Sequence, residues 1–385
     1  MDNVRIGIVG MGSMGSSHAK YISEGEIPGC ILSAVFDTDP SKLKKATEML
    51  PPGTRIFNDY TELLDSGSCD AVLVAAPHYF HPGLAVKAFE KGLHVLCEKP
   101  AGVYTLQVEE MNEAARKSGL VFSMMFNQRT NPIYIKARQM VRDGLLGELK
   151  RSVWIITDWY RPQSYYDAGT WRATWKGEGG GVLLNQDPHQ LDLWQWICGM
   201  PDSIDAFCYF GKYHDIEVED DVTAFVQYGN GATGVFITTT GEAPGTNRFE
   251  ISGDMGKLVI EDGRMLFYRL DTPERKFNAE FRGGFGQPGH SMEEIKTEGE
   301  NPQHKGITSN FINAILFGEP LIAPGIEGIN SLTLSNAMLL SSWTGRRINL
   351  PIDAHLYKKL LDERIASSTF IKSESDAVLD TTGTY

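Results

Sequence analysis

Over the first 126 residues, continuous apolar runs alternate with amphipathic stretches. Residues 4–9, 31–36, 71–75, 94–96 and 121–125 read as strands, and 41–49, 81–91 and 106–118 carry helical spacing between them. Strands that are apolar on both faces, each followed by a helix, predict an α/β domain with a parallel sheet covered on both sides. The rhythm changes after Asn127. One helical stretch at 133–143 is followed by longer alternating segments at 151–158, 204–209, 223–228, 234–240, 249–252 and 257–261. Asn230-Gly231 and Asp262-Gly263, dipeptides suited to tight hairpins, lie among them. Residues 127–385 are therefore expected to form an α+β domain with a mostly antiparallel sheet, and 331–343 a late helix. The Ser/Thr-rich end after Ala366 is expected to pack little.

Composition narrows the function classes. The 385 residues carry 36 Lys and Arg against 49 Asp and Glu, a formal charge of −13. Such a balance argues against a nucleic-acid backbone or an anionic membrane as the main partner. No apolar run approaches the roughly 20 residues that span a bilayer. Met1-Asp2-Asn3-Val4-Arg5 enters a strand pattern with no signal-peptide layout. The five cysteines form no C-x-x-C pair. A cytoplasmic chain with free thiols fits better than a disulfide scaffold, and no metal site is expected.

The first chemistry appears at Gly10-Met11-Gly12-Ser13-Met14-Gly15, a G-x-G-x-x-G turn directly after a strand and opening a helix. Gly10 permits the tight turn, Gly12 lets a pyrophosphate approach the backbone, and Gly15 allows close helix–strand packing. The helix start at Ser13 and Met14 then offers amides to the anion. Asp37 ends the second strand, 22 residues after Gly15, and Thr38 follows it. An acid there accepts hydrogen bonds from ribose hydroxyls and repels a 2′-phosphate. The expected cofactor is NAD rather than NADP, although Lys42, Lys44 and Lys45 lie nearby.

Further along, several motifs stand in one order: Ala76-Pro77 with His81, Glu98-Lys99-Pro100, Asn127-Gln128-Arg129, and Gly144-Leu145-Leu146-Gly147-Glu148. Gly179-Gly180-Gly181-Val182-Leu183-Leu184-Asn185 with His189, Glu219-Asp220-Asp221 and Gly253-Asp254-Met255-Gly256 complete the series. Together they resemble the Gfo/Idh/MocA oxidoreductases over nearly the whole chain. The resemblance implies a Rossmann domain over 1–126 and an α+β substrate and oligomerisation domain with a large open-faced sheet over 127–385. It also implies NAD(P)-dependent oxidation or reduction of a secondary hydroxyl on a sugar, inositol or glycoside. Ala76, Pro77, His81, Glu98 and Lys99 join the glycine turn as expected cofactor contacts.

Hydride transfer from a secondary alcohol needs a proton acceptor for the hydroxyl and a cation or donor beside the oxygen. Lys99 follows a strand's C-terminal end, where an open α/β sheet presents its crevice. By the resemblance it is the family's active-site lysine, and His189 the catalytic histidine. Asp187-Pro188 reads as an N-cap with Pro at the first helical position, so a helix break is expected between Asn185 and Pro188. His189 would sit in that helix's first turn, where the positive helix end keeps the ring neutral. Many members of the family carry Asp four residues before the His; Asn185 stands there instead and can hydrogen-bond but not take a proton. Asn185 is expected to bind a substrate hydroxyl or the nicotinamide edge.

Arg129 is a candidate for substrate hydroxyls, with a structural salt bridge as the alternative. His81 has helix capping as its alternative. Six of the seven tryptophans lie between Trp154 and Trp196. Trp171 and Arg172 occupy a polar, non-periodic stretch that suits stacking on a sugar ring, with Asp158, Arg161 and Asp167 addressing hydroxyls; packing of a seam explains the aromatics equally. The open sheet face predicts a homodimer or homotetramer. Two rival readings remain: an NAD-retaining glycosidase, and a non-enzymatic sugar sensor.

Overall fold

The apolar runs become a parallel sheet. β1 (Val4–Val9), β2 (Cys30–Phe36), β3 (Arg55–Phe57), β4 (Ala71–Val74), β5 (His94–Cys97) and β6 (Phe122–Met124) lie in the order β3-β2-β1-β4-β5-β6. The computed structural model describes residues 2–169 and 171–371. Every residue of β4 is buried, as a strand covered on both faces requires. The covering helices are α1 (Ser13–Ser23), α2 (Pro40–Met49), α3 (Tyr60–Asp65), α4 (His81–Glu90) and α5 (Thr105–Ser118). The sequence pattern predicts neither β3 nor α3. β3 has three residues at the sheet edge with only Phe57 buried, too short to display a period. Strand order reverses between β1 and β4, which puts the ligand crevice outside their C-terminal ends.

The second sheet has nine strands: β7 (Leu149–Ile156), β8 (Ser203–Phe210), β9 (Glu219–Gln227), β10 (Thr233–Thr239), β11 (Asn247–Gly253), β12 (Gly256–Glu261), β13 (Arg264–Leu270), β14 (His290–Ile295) and β15 (Ile348–Asn349). Their order is β14-β13-β12-β11-β7-β10-β9-β8-β15. All neighbours are antiparallel except β7 and β10, so the sheet is mixed. The Asp262-Gly263 hairpin has φ of 50° and 70°, the pair of positive angles that this turn demands. β15 has two residues, too few to show a period, and β14 exposes four of its six residues, so its alternation has no core to report on.

The remaining helices are α6 (Pro132–Arg142), α7 (Gln163–Asp167), α8 (Val182–Asn185), α9 (Pro188–Cys198), α10 (Glu274–Glu280), α11 (Gln303–Phe317), α12 (Gly328–Thr344) and α13 (Ala354–Ser367). One sheet face is packed: Trp154 stacks on Phe249 at 4.2 Å and Trp194 on Phe236 at 5.3 Å. These two tryptophans are core. The opposite face carries Val153, Ile155, Phe225, Val235 and Ile237, in register across β7, β10 and β9. Phe207 extends the same face from β8 and is 67% exposed. The chain finally returns to the first sheet, where the Met124 amide donates to the Ala323 carbonyl at 3.0 Å. Most of the Ser/Thr-rich end, 372–385, lies outside the described residues. Among those described, no helix is long and apolar enough to cross a membrane.

Candidate active site

The glycine turn is built by close contact. Gly10 has φ 100°, and a Cβ there would lie 2.7 Å from the Ala75 carbonyl oxygen. A Cβ on Gly15 would lie 1.8 Å from the Gly10 oxygen, whereas one on Gly12 would meet nothing within 4 Å. Gly12 therefore fronts open space at the start of α1, which has no side-chain cap and no acid in its first turn. Ser13 is exposed and Met14 half-buried on that turn. Asp37 closes the other side. Its Oδ2 accepts the Met11 amide at 2.7 Å and its Oδ1 the Asp39 amide at 2.9 Å, while Lys42 Nζ stands 3.6 Å from Oδ2. Thr38 is exposed beside it, and Ala76 and Pro77 are half-buried after β4. An open amide cradle with a carboxylate at the end of β2 fits a dinucleotide whose ribose hydroxyls face Asp37.

Lys99 follows β5. Its Nζ donates to the Asn185 backbone oxygen at 2.8 Å, which joins the first sheet to the second half of the chain. Burial lowers the ammonium's pKa, opposed by the Glu98 charge; Arg172 lowers it further and Glu178 raises it. The Glu98 carboxylate is engaged elsewhere: Oε1 lies 2.7 Å from His18 Nε2 and Oε2 accepts the Lys99 amide at 3.1 Å. Burial pushes this acid up, but the His18 hydrogen bond and charge outweigh it and leave the value at about 2. His18 Nδ1 meets the Tyr21 hydroxyl at 2.6 Å, and that hydroxyl meets Thr308 at 2.8 Å. The Glu98 carboxylate thus joins His18 to the Lys99 main chain; the spacing of His18 on α1 gives no sign of this partnership.

Opposite Lys99 the chain breaks as expected: α8 ends at Asn185 and α9 opens on Pro188. Pro188 has no amide hydrogen to extend the preceding helix. Asp187 takes the N-cap place without a capping hydrogen bond. Instead its carboxyl is fully buried, and burial raises its pKa well above the usual range, offset in part by the Thr238 hydroxyl. His189 stands in the first turn of α9. Its imidazole is held well below 6.5, by burial first and then by the Lys99 charge, so the ring is neutral, and Nδ1 has no hydrogen-bond partner among the described residues. His304 at the start of α11 also faces this space, with burial taking it to about 4. Asn127, close to His304 at 3.3 Å, completes that wall.

The polar stretch leading to Trp171 and Arg172 contains the short helix α7 and carries a polar cluster. Arg172 Nη1 donates to the Tyr165 hydroxyl at 2.6 Å and lies 4.0 Å from Glu178 Oε1. The Asn185 side-chain amide donates to Glu178 Oε1, and the Tyr165 hydroxyl lies 3.4 Å from Asn185 Oδ1. Trp171 meets the His78 ring edge-on at 5.2 Å. Glu178, His78, His304 and His18 escape sequence reasoning. Only Glu178 has a visible flag, as the charge immediately before three glycines.

The geometry decides between the readings of Arg129, His81, Trp175 and Asp167. Arg129 is buried: Nε and Nη2 pair with Asp192 at 2.7 Å each, and Nη1 donates to Glu327 at 2.5 Å and to the Ile322 oxygen at 3.2 Å. That salt-bridged guanidinium is structural and leaves little to offer a substrate. His81 Nδ1 lies 2.7 Å from the Pro100 oxygen and Nε2 2.6 Å from the Ala76 oxygen, so the ring ties two loops together rather than presenting a nitrogen to a ligand or a helix end. Trp175 is buried against Trp343 and packs a seam, and the Asp167 carboxylate accepts from the Gln163 amide.

Comparison with known proteins agrees with this layout. Residues 4–126 match the oxidoreductase family model with an NAD-binding Rossmann fold, and 134–259 match the GFO/IDH/MocA C-terminal domain. The chain belongs to the Gfo/Idh/MocA family. It is an oxidoreductase whose Rossmann domain takes NAD. The myo-inositol 2-dehydrogenase of Thermotoga maritima is 25% identical over 357 residues, 90% of this chain and 98% of the relative. The levoglucosan dehydrogenase of Pseudarthrobacter phenanthrenivorans is 24% identical over 329 residues, 75% and 82% of the two chains. Among solved structures, the WlbA dehydrogenase of Bordetella pertussis, in complex with NADH and UDP-GlcNAcA, superposes with a TM-score of 0.78. It is 26% identical, over 92% of this Gfo/Idh/MocA chain and 99% of that one.

Proposed function

We propose that this protein oxidises a secondary hydroxyl of a sugar or polyol to the ketone, or runs that reaction in reverse. In this reading residues 1–126 hold the dinucleotide, and 127–385 hold the substrate and form the assembly contact. The observation that carries the reading is the meeting of Lys99, from the end of β5, with the α8–α9 break that presents His189. The names of the inositol and levoglucosan dehydrogenases support the substrate class.

When bound, the nicotinamide supplies the hydride acceptor. Lys99 stands where its ammonium can donate to the substrate oxygen and stabilise alkoxide character. With one donor on the Asn185 carbonyl, two of its three hydrogens remain for other acceptors. Burial, which lowers its pKa, also strengthens the hydrogen bond it can donate to a developing alkoxide. Neutral His189 takes the hydroxyl proton during oxidation and returns it during reduction. Asn185 orients the site through its carbonyl, with its side-chain amide turned to Glu178. Trp171 and Arg172 border the substrate space.

The test is NADH formation from NAD with a panel of monosaccharides, inositols and glycosides, for the parent protein and for Lys99→Ala and His189→Ala. Turnover that collapses in both variants supports the reading. Undiminished turnover in Lys99→Ala overturns it, and cleavage of a glycoside without net NADH assigns the chain to hydrolysis instead. We also propose that the outer sheet face around Phe207, Phe225, Val235 and Ile237 pairs with a second copy. A monomeric mass in solution at micromolar concentration would remove that part.

A further inference from the structure

Glu178 is a buried acid that the roles above do not use. It lies on the turn before Gly179-Gly180-Gly181, and only 2% of it is exposed. Its Oε2 accepts the Ala173 amide at 2.6 Å, its Oε1 accepts from the Asn185 amide, and Arg172 Nη1 stands 4.0 Å away. All three neighbours are donors, the set that suits an ionised, acceptor-only carboxylate. Ala173 has φ 64°, a left-handed angle that a non-glycine residue adopts only when its surroundings hold it there. The bond from Glu178 pins that residue directly beside Trp171 and Arg172. Through Asn185 the same carboxylate reaches Lys99, since the Asn185 carbonyl accepts from Nζ while its amide donates to Glu178.

We propose that Glu178 is a positioning residue that adds negative charge on the Asn185 side of the Lys99 site, opposite Glu98, and holds Asn185, Ala173 and Arg172 in place. Its neighbour Asn185 carries no charge of its own, so the anion on this side of the ammonium comes from another turn of the chain. Other charged and titratable groups also face Lys99. Glu98, with its His18 partner, lies on the β5 side, Arg161 and Arg172 lie on the loop, and His78, Asp187, His189 and His304 stand around them. Glu98 is committed to His18, and Arg161 and Arg172 oppose the ammonium. Glu178 is the acid that faces the Arg172 guanidinium, at 4.0 Å.

The inference deepens the proposed role of Lys99, and its test does not depend on the substrate. Only the neutral amine reacts with acetic anhydride. The pH at which Lys99 acetylation is half-maximal, measured by peptide mass spectrometry, therefore reports the ammonium directly. Expected is a midpoint lower by about one pH unit in Glu178→Gln, unchanged in Glu178→Asp, and shifted back up in Glu178→Gln with Asn185→Asp. Folding of each variant is checked by thermal melting and by NADH fluorescence. Should Glu178→Gln not fold, Asn185→Asp alone and in combination with Glu178→Gln make the same comparison, with the lower midpoint expected in the pair. A midpoint that ignores residue 178 overturns the inference even if Lys99→Ala is inactive. Full turnover in Lys99→Ala overturns the catalytic reading even if the midpoint moves.

Discussion

Arg129 and Lys99 are both cations set where the two halves of the chain meet, and their surroundings give them opposite roles. Arg129 has two carboxylates and a carbonyl around its guanidinium, with the rings of Phe126 and Trp196 beside it at 5.3 and 5.2 Å. Among the described residues, Lys99 has one neutral carbonyl within hydrogen-bond distance, and its acids, Glu98 and Glu178, are bonded to other groups. A cation whose donors are matched stabilises the fold and can do little else. One that is desolvated but left with spare hydrogens is poised for a ligand oxygen.

The sharpest way to break this contrast is Arg129→Ala. It leaves Asp192, already raised by burial, as an uncompensated buried acid, and a loss of about 3–5 kcal/mol in urea unfolding is expected. Should stability barely change, the two cations are not different in kind. Lys99→Ala should do the reverse. Turnover is expected to fall about 10²- to 10³-fold, with the urea midpoint nearly constant.

A pH series sharpens the contrast further. His78, His189 and His304 lie near Lys99 and are all held below 6.5 by burial. They stay neutral when folded, whereas the unfolded chain takes up protons below 6.5. Stability is therefore full above that pH and falls as pH drops, by about 1.4 kcal/mol per histidine per unit. Glu98, at about 2, keeps its contribution until pH falls below the ordinary carboxylate range. Thermal melts between pH 8 and 5 check the first window, and a flat profile would contradict it. The smallest effect belongs to Gly12→Ala. With nothing within 4 Å of the added carbon, the ligand-free protein should melt unchanged. NADH should bind about ten-fold more weakly, or about 1.4 kcal/mol by fluorescence titration.

Sequence and structure agree best where the physics is local. The glycine turn, Asp37 and the break before Pro188 each follow from a backbone requirement within a few residues, and each lies where the pattern expects it. Arg129 shows where that reasoning stops: its position in a motif could not reveal Asp192 and Glu327, 63 and 198 residues away in the chain. Glu178 was hidden for the same reason, since its meaning depends on a loop that folds back onto α8. Short edge strands such as β3 and β15 gain their form from their neighbours, so propensity alone leaves them silent.

The contact between Lys99 and residue 185 is made by main chain. Any amino acid at that position brings the same carbonyl, so the side chain there is at liberty to vary while the lysine keeps its tether. Drift at 185 can thus retune the chemistry of the pocket without casting its cation loose.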